Sequence, residues 1–122
     1  MPVGIAENVL VAAWSETLAM FANRPAILAA GGETLRTFAD IEAEAHEIAR
    51  RLESIAPRAV VAIRMGNRAC WPALLLALFR RALIPLPLGE HMEGGELAAA
   101  LDACGAGALV EEIGRASCRD RV

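Results

Sequence analysis

The sequence predicts an α/β chain, a partial doubly wound sheet made of a β-hairpin followed by a strand–helix–strand–helix–strand unit. Three observations predict it. The β-branched apolar run Ala59–Arg64 (AVVAIR) does not alternate with polar residues, so it reads as a strand covered on both faces, as in a parallel sheet. Two further short apolar runs, Ile84–Leu88 and Ala106–Val110, come later with a helical pattern before each. Crossovers between parallel strands are right-handed in nearly all cases, which makes this order a doubly wound unit.

The elements follow from local patterns. Leu10, Trp14, Leu18 and Phe21 recur at helical spacing, and Asn23-Arg24-Pro25 stops the run, so a helix is predicted over about Ile5–Ala22. In Ala26–Thr37 two apolar pieces flank Gly31-Gly32, a two-residue turn signal, which predicts a β-hairpin. Thr37 can cap the next helix, with Asp40 in the capping-box position where Glu or Gln is more usual. Phe38, Ile41, Ala45, Ile48 and Leu52 then fall at spacings of 3, 4, 3 and 4 among charged residues. They predict an amphipathic helix with one buried stripe, ending at Pro57. His46 lies beside the stripe among charges and reads as a solvated surface histidine, not a catalytic base.

After the turn Met65-Gly66-Asn67 comes the longest apolar stretch, Asn67–Gly89. A membrane helix needs about 20 uninterrupted apolar residues. Arg80 and Arg81 cut this run and Pro85 and Pro87 break its second half, so no membrane span is predicted. Instead Trp71–Arg81 is expected to be a helix that is apolar nearly all round, hence covered on more than one side. It should start near Ala69–Trp71, because Pro72 fits only in a first turn. Ile84–Leu88 is the next strand, and its two prolines suit an edge or a strand end. Gly89–Gly95 is a loop, Glu96–Cys104 a short helix, and Gly105 is placed to end that helix in the left-handed conformation.

Composition narrows the function. The 122 residues suffice for one small domain with a core, and the hydrophobic fraction of 56% with a mean hydropathy of +0.40 is high for so short a chain. Alanine supplies part of it; surfaces that a longer protein would cover are a second explanation. A net charge of −3 leaves no broad basic face for nucleic acid, and 4% aromatics with no tyrosine leave little for base stacking. All 12 basic residues are arginine. The absence of lysine excludes a phosphate loop of the GxxxxGK[ST] type and a Schiff-base lysine. Cys70, Cys104 and Cys118 are odd in number and form no CxxC, which fits a reduced cytoplasmic setting. His46 and His91 stand near no cysteine, so no metal site is expected. The first residues carry Glu7 and no basic segment, a poor signal peptide.

Taken in order and spacing, these segments resemble a known family. Arg24–Leu28 (RPAIL) followed by Gly31–Leu52 resembles an opening hairpin and a "T-aromatic-x-E/D-L" helix. Ala59–Asn67 resembles a "V-A-I-x-x-x-N" strand and turn. Trp71–Leu88 resembles an "A-L-L-A-x-L-K-A-G-A-x-x-x-P-L" helix and strand, and Glu96–Val110 an "E-L-x-x-x-L-x-D-A-G-A-x-x-V" stretch. From about Trp14 to Val110 the chain is therefore similar to the N-terminal part of the AMP-forming acyl-activating enzymes: acyl-CoA synthetases, peptide-synthetase adenylation domains and luciferases. Ala82-Leu83 departs from the usual Gly-Ala, and Pro85 from a common aromatic.

The resemblance implies part of the large N-terminal domain of the acyl-CoA synthetase-like fold. It implies a parent ligase, such as those of fatty acid metabolism, that activates a carboxylic acid with ATP and Mg²⁺. The acyl-adenylate then passes its acyl group to a thiol such as coenzyme A. It also places the phosphate-holding loop and the catalytic lysine downstream of this chain. No catalytic, cofactor-binding or metal-ligating residue is therefore expected within it, and the chain alone should be inert. In some acetyl-CoA synthetases the equivalent of Gly89–Gly95 approaches coenzyme A, but the residues here do not match, so a plain βα loop is expected.

Residues 1–111 are read as the incomplete AMP-binding domain. Glu112–Val122 resembles the translation of a short-read sequencing adapter, differing only at Asp120, and is expected to be non-native. The alternative from another class is a non-catalytic α/β interaction or binding module that offers the apolar face of Trp71–Phe79 to a partner. A Rossmann-like nucleotide binder is disfavoured, because no GxGxxG follows Ala59–Arg64.

Overall fold

In the computed structural model the chain is described over residues 8–111, with the backbone of 112–113 and 118–121. Helix α1 (Val9–Phe21) leads into a hairpin of β1 (Pro25–Leu28) and β2 (Thr34–Thr37), then helix α2 (Phe38–Arg51). The strands β3 (Val60–Ile63), β4 (Ile84–Pro87) and β5 (Ala106–Ile113) alternate with α3 (Trp71–Arg80) and α4 (Gly94–Cys104). A last strand, β6 (Cys118–Arg121), follows.

The second sheet has the order β4-β3-β5-β6, with β3 parallel to both β4 and β5. The step from β3 to β4 goes one way, and the step from β4 to β5 returns across β3. With right-handed crossovers this puts α3 and α4 on opposite faces, so the doubly wound expectation is met. Val61, Ala62 and Ile63 are all fully buried, as expected for a strand covered twice. Val61, Ile63, Ala108 and Val110 join the core beneath α2 and α3, whereas Ala62 and Leu109 are buried outside that cluster, on the other face.

The predicted stripe of α2 is the centre of this core: Ile41, Ala45, Ile48 and Leu52 are each at most 2% exposed. Thr37 and Asp40 close a capping box, with Asp40 N–H donating to Thr37 Oγ1 at 3.0 Å and Thr37 N–H to Asp40 Oδ2 at 2.8 Å. Those bonds stabilise the ionised Asp40 and hold its carboxyl below the usual range. Helix α3 buries Ala73, Leu74, Leu76, Ala77 and Leu78 between α2 and the sheet, which explains its apolar circumference.

The prolines of β4 are placed by hydrogen-bonding parity. Ile84 N–H donates to Ala59 O and Leu88 N–H to Ile63 O, at 2.9 and 2.8 Å, so residues 84, 86 and 88 face β3. Pro85 and Pro87 present their missing donors to the open side of an edge strand. The departure at Ala82 also has a structural meaning. Leu83 N–H bonds Leu78 O and Ala82 N–H bonds Phe79 O, the two bonds of a Schellman ending, with Ala82 at φ +57°. That is a left-handed position favouring the glycine that the resembling family usually has there.

Several boundaries differ from expectation: α1 starts at Val9, behind its cap Asn8, and not near Ile5, and α2 ends at Arg51, short of Pro57. The hairpin turn is a three-residue loop, not a two-residue one: Gly32 N–H reaches Ala29 O at 2.9 Å, Ala29 N–H reaches Glu33 O at 2.8 Å, and Gly32 sits at φ +96°. The third residue is the left-handed one of a bulged turn, which the Gly-Gly pair supplies as readily as a two-residue turn. Strand β5 runs to Ile113, past Val110, because β6 pairs antiparallel with it. Helix α4 starts at Gly94, two residues before Glu96. Within the expected tail, Val110 pairs with Asp120 and Ile113 with Cys118, while residues 114–117 and 122 lie outside the described residues.

Candidate functional site

In open α/β sheets the loops beyond the carboxyl ends of the strands are where ligands bind, at the point where the winding reverses. Here that point lies between β3 and β5. Ile63 and Val110 are register partners, so the next residues, Arg64 and Glu111, emerge side by side at the carboxyl edge. They form an ion pair through Arg64 Nη2, and each is 17% exposed. Arg64 N–H also bonds Val110 O at 2.9 Å, and its Nη1 donates to Met92 O in the β4–α4 loop. One arginine thus ties together the ends of β3 and β5 and the loop that leaves β4.

The turn after β3 is shaped by the same loop. Gly66 adopts φ +72°, a left-handed position that favours glycine, and the end of the Glu90 side chain lies against it. Trp71 Nε1 donates to Gly66 O at 2.5 Å, joining the start of α3 to this turn. Beside it lies a cavity of about 360 Å³ between the hairpin residues Ile27 and Leu35 and the segment Asn67–Pro72, with Trp71 in its wall. Cys70 borders α3 at its start and is nearly buried; that burial pushes its thiol pKa up, which makes it a poor nucleophile.

A second polar cluster lies on the helical face. Glu42 Oε1 accepts from Trp14 Nε1 at 2.8 Å and from Arg80 Nη2 at 2.7 Å, and Glu42 Oε2 meets His46 Nε2 at 2.9 Å. Burial pushes the Glu42 carboxyl up, but the bonds from Arg80 and Trp14 together outweigh it and hold the pKa below the usual glutamate range. His46 is two-thirds exposed, in keeping with the surface reading. Arg36 grips Glu44 through Nε and Nη2 at 3.0 and 3.3 Å, and that bond raises the arginine pKa further.

Sequence reasoning singles out the loop Gly89–Gly95 but not Arg64 or Glu111. The signal is present: each is the first charged residue after a buried apolar run, Val61–Ile63 and Ala108–Val110, and parallel neighbours bring such residues side by side. Among the described residues no group of three His, Cys, Asp or Glu side chains converges as a metal site, and no helix is long and apolar enough to cross a membrane. Arg64 and Glu111 thus engage each other at the switch point.

The profile of the AMP-binding enzyme family matches residues 14–121. The chain belongs to that family. No curated relative matches it. Among solved structures, the chain is similar to the N-terminal subdomain of Klebsiella oxytoca NpsA, with a TM-score of 0.74 at 18% identity over 84% of this chain and 27% of that one. It is similar to a benzoate CoA ligase from Burkholderia xenovorans, with a TM-score of 0.72 at 16% identity over 83% of this chain and 21% of the ligase. It is also similar to VinN in complex with 3-methylaspartate, with a TM-score of 0.76 at 15% identity over 90% of this chain and 31% of that one. At such identities the likeness carries the fold. The chain spans less than a third of each of these structures.

Proposed function

We propose that the chain is part of an ATP-dependent ligase that activates a carboxylic acid as its acyl-adenylate and hands the acyl group to a thiol. The observation that carries this is the match of the AMP-binding family to residues 14–121, on a sheet wound as in the adenylation and CoA-ligase neighbours. In this reading residues 14–111 supply wall and core. Arg64, Glu111 and the β4–α4 loop set the shape of the carboxyl edge, and ATP, Mg²⁺ and the thiol are held by residues outside them. A small-molecule thiol such as coenzyme A is supported by the benzoate CoA ligase among the neighbours. A cytoplasmic setting is supported by the free thiols of Cys70 and Cys104.

The test is ATP–pyrophosphate exchange over a panel of carboxylic acids, run on this chain and on a chain extended through the native downstream sequence. The extended chain should exchange, and this one should not. Exchange by this chain alone would overturn the assignment of catalysis to other residues. An extended chain that folds but neither exchanges nor binds ATP would overturn the ligase reading in favour of an interaction module. We propose in addition that Glu112–Val122 is non-native, on its likeness to an adapter translation. Resequencing the source across Glu111 should show a different continuation, and the same residues recovered there would refute it.

A further inference from the structure

Helix α1 is attached to the rest of the molecule in an uneven way. None of its residues is fully buried, and Val9, Leu10 and Met20 are 80%, 59% and 73% exposed. Trp14 is the one α1 side chain among the described residues that packs against the core. Its ring lies 5.7 Å from that of Phe38, and its Nε1 makes the one side-chain hydrogen bond from α1 to another helix among the described residues, to Glu42 Oε1. The other firm attachment is at the helix's carboxyl end: Ala39 N–H bonds Ala22 O at 2.8 Å and Phe38 N–H bonds Arg24 O at 3.2 Å. The helix is thus pinned at one end and fastened once in the middle.

Next to the fastening lies a group that would be better hydrated. Trp14 Nε1 and Arg80 Nη2 converge on the same Glu42 oxygen, so indole and guanidinium lie side by side. Arg80 Nη1 is buried there with no hydrogen-bond partner among the described residues. A buried donor without a partner is destabilising, and access of water relieves it.

We propose that α1 is a hinged strap, held shut by the Trp14–Glu42 bond and pivoting about Ala22–Arg24. Opening uncovers the Phe38 ring and lets water reach Arg80 Nη1, while the α2–α3 layer and the sheet stay folded. The strap does not depend on the ligase reading.

Native-state hydrogen exchange read by mass spectrometry tests it on the chain as it stands. Amides of α1 should exchange through an opening that leaves β3 and α3 protected. In Trp14→Phe, which keeps a ring against Phe38 but loses the donor, α1 exchange should rise about ten-fold, the loss of one hydrogen bond to a charged group. Exchange in β3 and α3 should change by no more than about two-fold. In a Trp71→Phe background, Trp14 emission should shift to the red at denaturant concentrations below the global transition. A common exchange rate for α1 and β3 in the unsubstituted chain would overturn the strap, since α1 would then leave only with global unfolding. Global unfolding of Trp14→Phe would overturn it as well.

Discussion

The two faces of the parallel sheet are made from similar residues and end up in different states. On one face α2 and α3 bury Ile41, Ala45, Ile48, Leu74, Ala77 and Leu78 to 2% exposure or less. On the other, α4 carries Leu97, Leu101 and a run of alanines and buries none of its residues fully. The first face is a layer of helices packed on each other and on the sheet, so each apolar side chain meets neighbours on several sides. The second carries, among the described residues, the single helix α4, which packs on β5. Apolar pattern therefore does not set burial here; the number of elements laid over each face does.

Truncation should break the comparison most visibly. Leu74→Ala leaves a cavity between α2, α3 and the sheet, and should cost about 3 kcal/mol by denaturant titration. Leu101→Ala should cost less than about 1 kcal/mol, because its side is half open. Equal losses would mean that α4 is as well packed as α3.

The next effect concerns how α4 is held at all. With little burial to anchor it, its leading loop depends on Arg64, which reaches Met92 O and Glu111. Arg64→Met removes those bonds from a largely buried site and should cost about 2 kcal/mol. Hydrogen exchange should rise first in Leu88–Leu97 and only later in α2. Uniform exchange across both faces would show that the pair holds the whole sheet and not one loop.

Much of this is legible from periodicity. The stripe of α2, the unalternating β3, the edge prolines of β4 and the glycine after α4 each state a local rule that the fold obeys. What is not legible is set by pairs far apart in sequence. Arg64 and Glu111 are ordinary charges until β3 and β5 lie side by side in register. Glu42 reads as one more solvated acid on a polar face until α1 and α3 bring Trp14 and Arg80 to it. The hairpin turn escapes a local reading because Gly31-Gly32 satisfies two turn geometries, and the register of β1 on β2 chooses between them.

A smaller change of opposite sign sharpens the well-packed face. Ala82 closes α3 at φ +57°, where an L side chain is disfavoured and glycine is not. Ala82→Gly should stabilise the chain by about 0.5–1 kcal/mol, seen as a raised melting temperature. No gain would mean that the added freedom of the unfolded glycine offsets the relieved strain.

The smallest expected effect is a pH dependence carried by the same face. The Glu42 pKa is lowered in the folded chain, so the folded state favours the ionised carboxylate that Arg80 and Trp14 bind. A group depressed on folding contributes its stability above the ordinary glutamate range and loses it as pH falls through the lower folded value. Glu42→Gln cannot ionise, so it should weaken the chain at neutral pH and flatten this part of the acid slope, by less than about 1 kcal/mol given its partial exposure. Urea midpoints for both proteins, taken from neutral to acid pH, measure the difference. The two curves should converge as the carboxyl of the unsubstituted chain becomes protonated. Parallel curves would show that Glu42 acts through its shape and hydrogen bonds, which glutamine keeps, and that its charge adds nothing to the packing of α2 on α3.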